Sequence, residues 1–354
     1  MKKSVPIIFI IFILIAQGCI EEITDSAAGF NFNNSALILR EIESRGDYIN
    51  SPNFPASITA EELNSNLANY IVLDVRKAED FSNGHIKDAV NITSGSLLDY
   101  IINSNNLNKD FVIISNTGQA SSYYTALLRL YGLRNVYSLK FGMASWHKDF
   151  SHYFTDNIAE LTNMENYHNV DNPKPNFSEL PLLEKGNNLT AGELLNKRII
   201  DFLIEGFNEN ALPYSITVNT IDKDYFASMI NLNSSEYFII CSGKSDLYFV
   251  GQLGVFENPG HPKGAVLYKT FYPVSELSSV NYLQTIPVSK KIILYSYAGE
   301  LSAIITAHLR LLGYDAKSLL FGAHALFYQR LASSEAFINY TYHINLVKDF
   351  PYVK

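Results

Sequence analysis

Cysteine is nearly absent from this chain: there are two in 354 residues, Cys19 and Cys241. Two cysteines, one of them in the first twenty residues, cannot build a disulfide framework or by themselves a structural zinc site. The eight histidines show no metal-ligand spacing, so no metal or other cofactor is expected. Basic charge is also short, with 27 Lys and Arg against 35 Asp and Glu, a net charge of -8. That balance speaks against nucleic acid as a partner, which calls for a basic face. Charged residues make up only 18% and hydrophobic ones 47%, which excludes a disordered chain. The length suits about two domains.

Long apolar runs are likewise missing, except at the start. Lys2 and Lys3 precede Pro6 to Ala16, an unbroken apolar stretch too short for a comfortable membrane span. Ala16-Gln17-Gly18-Cys19 then resembles a bacterial lipobox. The resemblance implies a signal peptide over 1–18 and a lipid on Cys19. The protein would be held on a membrane in the cell envelope, facing periplasm or exterior.

Behind this leader, 19–55 is expected to be a tether with a short helix, Ala36 to Arg45, capped by Ser35 and closed by Gly46. Two domains follow, 56–168 and 189–354, joined by a Pro-containing linker over 169–188. Thr59-Ala60-Glu61-Glu62 and Thr190-Ala191-Gly192-Glu193 both fit capping boxes. The runs Ile71–Leu73, Phe111–Ile114, Asn135–Tyr137, Tyr237–Ile240 and Lys291–Tyr295 read as strands, and Ser121–Leu130 as a helix. Strands alternating with helices predict an α/β fold, each domain a parallel sheet flanked by helices.

An internal repeat is the most informative feature. Ser115-Asn116-Thr117-Gly118-Gln119-Ala120-Ser121 is matched by Ser296-Tyr297-Ala298-Gly299-Glu300-Leu301-Ser302. Each segment follows an apolar strand and precedes a helix ending in Leu-Arg, then Gly. Each helix is followed by Ser-Leu-x-Phe-Gly, at 138–142 and 318–322. A Gly-containing loop between strand and helix gathers backbone N–H groups at a helix N-terminus, which suits an anion. An ordinary strand-to-helix turn is the plainer reading of each loop alone.

Asp74-Val75-Arg76, then Gly84-His85-Ile86-Lys87-Asp88-Ala89-Val90-Asn91-Ile92, resemble the signature of the rhodanese family. The Ser115 loop aligns with that family's active-site loop, and Phe141 to Trp146 with its closing element, so the match spans about Ala56 to Phe154. The second half is similar but eroded. Gly260-His261-Pro262-Lys263-Gly264-Ala265-Val266 keeps the middle motif, while Cys241-Ser242-Gly243 stands where Asp-x-Arg should be. The resemblance implies tandem sulfurtransferase-fold domains in which Asp74, Arg76, His85 and His261 are structural.

In that family the loop's first residue is a cysteine that carries sulfur as a persulfide. Here the position is Ser115 in one half and Ser296 in the other, and serine oxygen cannot enter a persulfide cycle. A serine nucleophile would need a positioned base, for which the chain offers His85 and His147. Cys241 ends an apolar strand and reads as a buried, inert thiol, with an unrecognised sulfur carrier as the rival. Trp146 reads as core. The expectation is a pseudoenzyme whose loops bind a small oxyanion, a sulfur compound or a protein partner. An active sulfurtransferase and a purely structural envelope protein are the alternatives.

Overall fold

The computed structural model describes residues 33–104, 108–160, 167–183, 189–210, 212–232, 234–249, 260–273, 275–332 and 339–354. Cys19 and the whole leader lie outside the described residues. From Asn33 to Lys354 the chain forms one compact unit.

Its frame is two five-stranded parallel sheets. The first contains β1 (Ser57–Ile58), β2 (Tyr70–Asp74), β3 (Val90–Asn91), β4 (Asp110–Ile114) and β5 (Val136–Leu139), in the order β1-β5-β4-β2-β3. A two-residue β6 (Tyr167–His168) follows. The second sheet contains β7 (Thr220–Ile221), β8 (Tyr237–Gly243), β10 (Val266–Lys269), β11 (Lys291–Tyr295) and β12 (Ala316–Leu319). Its order, β7-β12-β11-β8-β10, repeats that of the first. Between β8 and β10, β9 (His261–Pro262) pairs antiparallel with β6. The fold is α/β, with parallel sheets flanked by helices.

Strand side chains alternate between faces, so each sheet has two sides to cover. Phe111 and Ile113 of β4, with Ile292 and Leu294 of β11, enter one large core. That core also takes in the helices Gln119–Tyr131 and Glu300–Leu311, which pack on each other between the two sheets. Val112 and Ile114 face a second cluster with Trp146, while Ile293 and Tyr295 face a third with Cys241. Full burial of such aliphatic and aromatic side chains contributes about 1.5–3 kcal/mol apiece.

Three expectations need correction. The helix expected within a tether spans Asn34–Ser44, and its cap is Asn33, whose side chain accepts from Ser35 N at 3.0 Å. Ser35 instead donates to Leu312 O at 2.7 Å, and Ile38, Leu39 and Ile42 are core residues, so this helix belongs to the compact unit. The described part of the expected linker is tied down as well: Ser178 N donates to Gln284 O at 2.8 Å and Asn172 Nδ2 to Ala265 O at 2.9 Å. Its prolines mark a strap, not a free spacer. Finally, Thr190 makes a full capping box, but Thr59 makes half of one, accepting from Glu62 N with no reciprocal bond.

The chain also crosses over at both exits. Beyond the first sheet, Ala159 pairs with His324 and Tyr328, and β6 lies on β9 of the second half. Beyond the second sheet, Lys348 N bonds Ser145 O, Phe350 N bonds Trp146 O, and Val353 exchanges two backbone bonds with His85.

Candidate functional site

β4 ends at Ile114 and the helix begins at Gln119, leaving four residues to turn the chain. Gly118 makes the turn in the left-handed region, at φ 84°. Ser115 Oγ accepts from Gly118 N at 3.1 Å and from Ser121 N at 3.3 Å, so the side chain at the nucleophile position helps hold the loop. Met143 N and Ala144 N bond Ser115 O and Asn116 O, strapping the Phe141-Gly142 segment beneath. A Cβ on Gly142 would strike Ser115 O.

The gathered donors are not waiting for a ligand from outside. The carboxylate of Glu209 fills the loop. Glu209 accepts from Asn116 N at 2.6 Å, Thr117 Oγ1 at 2.8 Å, Ser115 Oγ at 3.0 Å and Ala120 N at 3.2 Å. Its residue is 6% exposed and Ser115 is 1% exposed. Gln119 Nε2 supports Thr117 Oγ1 at 3.0 Å. The preference for an anion read from the loop is therefore met by the chain itself. Glu209 sits between the helix Ala191–Glu205 and β7, held by its neighbour Phe207, whose N–H donates to Tyr124 OH at 2.7 Å. Sequence reasoning missed Glu209, because no motif or spacing sets this acid apart from other loop acids.

The second loop has the same build. Gly299 turns at φ 91°, Ser302 N donates to Ser296 Oγ at 3.1 Å, and Ser302 Oγ donates to Gly299 O at 3.0 Å. Ala323 N and His324 N bond Ser296 O and Tyr297 O, as in the first half. Here the acid from elsewhere in the chain is bonded at a side chain: Tyr297 OH donates to Asp246 Oδ1 at 3.0 Å. Ser296, Tyr297, Ala298, Glu300 and Leu301 line a cavity of about 260 Å³. Pro55, Ser57, Ser122 and Lys140 of the first half form its other wall.

The loops are cross-braced. Gln119 Oε1 accepts from Phe321 N at 2.8 Å, and Glu300 Oε1, from the equivalent position, accepts from Phe141 N at 2.7 Å. A Cβ on Gly118 would strike Glu300, and one on Gly299 would strike Gln119. The two glycines thus serve the contact between halves as well as the turns. Burial pushes the Glu300 carboxyl up to about 7, with the Phe141 N–H and Lys140 pulling it down and Glu209 pushing it further up.

The side chains of the supporting motifs bond within the chain. Arg76 and Asp74 form a buried bidentate pair, Nη2 to Oδ2 at 2.7 Å and Nε to Oδ1 at 3.0 Å, and Arg76 Nη2 also donates to Gly84 O at 2.7 Å. His85 stacks on Phe81 at 3.7 Å with Nδ1 at Phe81 O, and His261 stacks on Tyr248 at 3.7 Å with Nδ1 at Tyr248 O. His147 Nδ1 accepts from Asp149 N. No histidine is among the bonding partners of Ser115, so a Ser–His arrangement is absent from the described residues. Burial pushes the Cys241 thiol up to about 12, the reverse of what a sulfur carrier needs. Trp146 is 1% exposed, its indole donating to Pro351 O at 3.0 Å. No cluster of three or more His, Cys, Asp or Glu could hold a metal among the described residues.

The first half has known relatives. The family described as rhodanese-like domain matches residues 59–149. A thiosulfate sulfurtransferase GlpE of Ectopseudomonas mendocina is 33% identical over 91 residues, 26% of this chain and 81% of the relative. The GlpE of Pseudomonas savastanoi is 31% identical over 80 residues, 23% of this chain and 74% of the relative. A solved rhodanese-related protein from Thermoplasma volcanium is 31% identical, covers 25% of this chain and 88% of its own, and has a TM-score of 0.23. With its Asp74–Arg76 pair and Gly84-His85 turn in the matched span, this chain belongs to the rhodanese-like domain family.

Proposed function

We propose that this chain is an exported, lipid-anchored protein of two tandem rhodanese-like halves that has lost sulfurtransferase catalysis and acts as a binding module. The observation that carries the reading is the Glu209 carboxylate seated on the loop where the family holds its sulfur. Serine oxygen cannot carry a persulfide, and an anionic substrate would meet a fixed negative charge there. The only thiol beyond the leader, Cys241, is fully buried with a raised pKa, which counts against the rival reading of an unrecognised sulfur carrier. The repeated strand order and reciprocal loop contacts support the tandem arrangement. In this reading the first loop is structural and the second, beside its cavity, does the binding.

A thiosulfate:cyanide assay on the full-length protein tests the loss of catalysis. The expected result is no thiocyanate above the uncatalysed rate and no protein persulfide by mass spectrometry. Turnover would overturn the reading. The anchor rests on Gly18-Cys19, and Cys19→Ser should release the protein from the membrane fraction or leave the precursor unprocessed. A variant that fractionates and matures like wild type would remove the lipid from the account.

A further inference from the structure

We propose that the cavity at the C-terminal end of the helix Gln119–Tyr131 binds the phosphoryl group of a small soluble ligand, held by Arg129 and Arg134. The site shares no lining residue with the cavity beside the Ser296 loop and lies a helix length, about 18 Å, from the Ser115 loop. It goes beyond the reading above and does not depend on it.

The cavity measures about 250 Å³, and Arg45, Arg129 and Arg134 all line it, in a chain with more acid than base. Arg45 is already committed, its Nε donating to Glu41 Oε1 at 2.9 Å and its Nη1 to Tyr131 O and Asn196 Oδ1 at 2.9 and 2.8 Å. Arg129 is not. It is 9% exposed, its guanidinium lies over the Tyr137 and Tyr48 rings at 4.7 and 5.9 Å, and its Nε donates to Val136 O at 2.7 Å. Neither of its Nη groups has a hydrogen-bond acceptor or a carboxylate partner among the described residues. Arg134 reaches across the Gly46 turn, and its guanidinium has no ion pair among the described residues.

The repeat supplies the contrast. Arg310 ends the equivalent helix and is answered within the chain. Its Nη2 donates to Glu205 Oε2 at 3.1 Å, its Nη1 meets Glu205 Oε1, and its Nη1 also donates to Tyr123 OH at 3.1 Å. Arg129, at the same place in the first half, has two tyrosine rings and a cavity where Arg310 has a carboxylate. A buried charge without a counter-charge is costly, and a ring face offsets only part of that cost. The stacked guanidinium is also fixed in place, so it offers its remaining donors without loss of rotamer freedom.

The walls suit an oxyanion with little apolar body, since Ser51 and Asn53 complete them. A phosphoryl group presents up to three terminal oxygens to two guanidinium forks, whereas a carboxylate has enough for one. One acid in the wall opposes any anion: Asp47, whose two carboxylate oxygens both accept from Asn50 Nδ2 at 2.8 Å.

Inorganic phosphate is the probe, titrated into the full-length protein by calorimetry at pH 7.5 and fixed ionic strength, with acetate as control. The expected result is saturable phosphate binding at least tenfold tighter than acetate. Arg134→Gln, at an exposed position, should weaken it at least fivefold, and Arg129→Lys, which keeps the charge but loses the fork, several-fold. Asp47→Asn should tighten it several-fold. Lys140→Gln, in the other cavity, should leave it unmoved. Glycerol 3-phosphate and its dihexanoyl ester separate a soluble ligand from a lipid headgroup, and equal affinity is expected. No phosphate binding, equal binding of acetate, or affinity unmoved in Arg134→Gln would overturn the proposal. So would loss of phosphate binding in Lys140→Gln alone, which would move the ion to the Ser296 cavity. Binding of the dihexanoyl ester at least tenfold tighter than glycerol 3-phosphate would overturn the soluble ligand in favour of a lipid. None of these outcomes bears on the loss of catalysis, which the thiocyanate assay decides.

Discussion

The halves of this molecule share a strand order and differ at the end of one strand. In the first, β2 closes on Asp74, paired with Arg76 in a site that gives neither side chain any solvent. In the second, the register that aligns Asp74 with Ile114 aligns Cys241 with Tyr295, so a thiol takes the place of the carboxylate. Gly243 then stands for Arg76, with Leu247 and Tyr297 packed where a side chain would go. A buried ion pair and an apolar plug can close the same corner, in keeping with the near balance between desolvation and attraction for buried pairs. The loops differ in the opposite sense. The half that keeps the family's motif has its loop sealed by Glu209, and the eroded half has the loop that faces a cavity.

The largest effect should come from breaking the pair. Arg76→Ala leaves the Asp74 carboxylate buried and unpaired, which costs about 3–5 kcal/mol. Cys241→Val at the equivalent position conserves shape and polarity and should cost under about 1.5 kcal/mol. Urea unfolding of both variants measures the contrast. Equal losses would mean that the corners are not alternative solutions to one packing problem.

A somewhat smaller effect should distinguish the loops by pH. Glu300 has its pKa raised from 4.5 to about 7 by burial. The folded chain then holds this proton where the unfolded chain has released it. Stability from this group is full below about pH 4.5, falls as pH rises to about 7, and is level above, a change of up to roughly 3 kcal/mol. Glu300→Gln, which restores the residue type of Gln119, should lose that slope and unfold at higher urea than wild type at pH 8. A difference between the two proteins that does not vary with pH would remove Glu300 as the source.

The finest test concerns the sealed loop. Ser115→Cys alone would set a thiol 3.0 Å from a carboxylate, since Ser115 Oγ lies at that distance from Glu209 Oε2. Its pKa should rise and it should alkylate slowly. Adding Glu209→Ala removes that charge and hands the loop N–H groups to the thiolate, so the double variant should react with iodoacetamide at least tenfold faster at pH 7. Equal rates would mean that Glu209 does not control the field at Ser115.

Much of the frame was legible in the residues. Lys291–Tyr295 is a strand over the same residues, and the Ser115 and Ser296 segments occupy equivalent turns. These features are local: apolar runs, a glycine needing positive φ, a helix start. The filling of the first loop was not legible, because Glu209 reaches Ser115 across 94 positions of sequence. Nor did spacing show that Gln119 and Glu300 each cap the other half's Phe-Gly turn. Such contacts depend on how two finished layers meet. The structured helix at Asn34–Ser44 was misplaced into a tether for the same reason: its partners, such as Leu312, come from the far end of the chain.

The exchanged exits carry a consequence for synthesis. His85 belongs to an early turn, yet its backbone partner is Val353, which lies beyond the whole second sheet in sequence. Trp146 likewise waits for Pro351. On a ribosome the first sheet can form long before these residues exist, so the N-terminal half must persist with an uncovered edge until they emerge. A nascent chain truncated before residue 349 should therefore be far more open to protease around His85 and Trp146 than the released protein, although neither residue is near the cut.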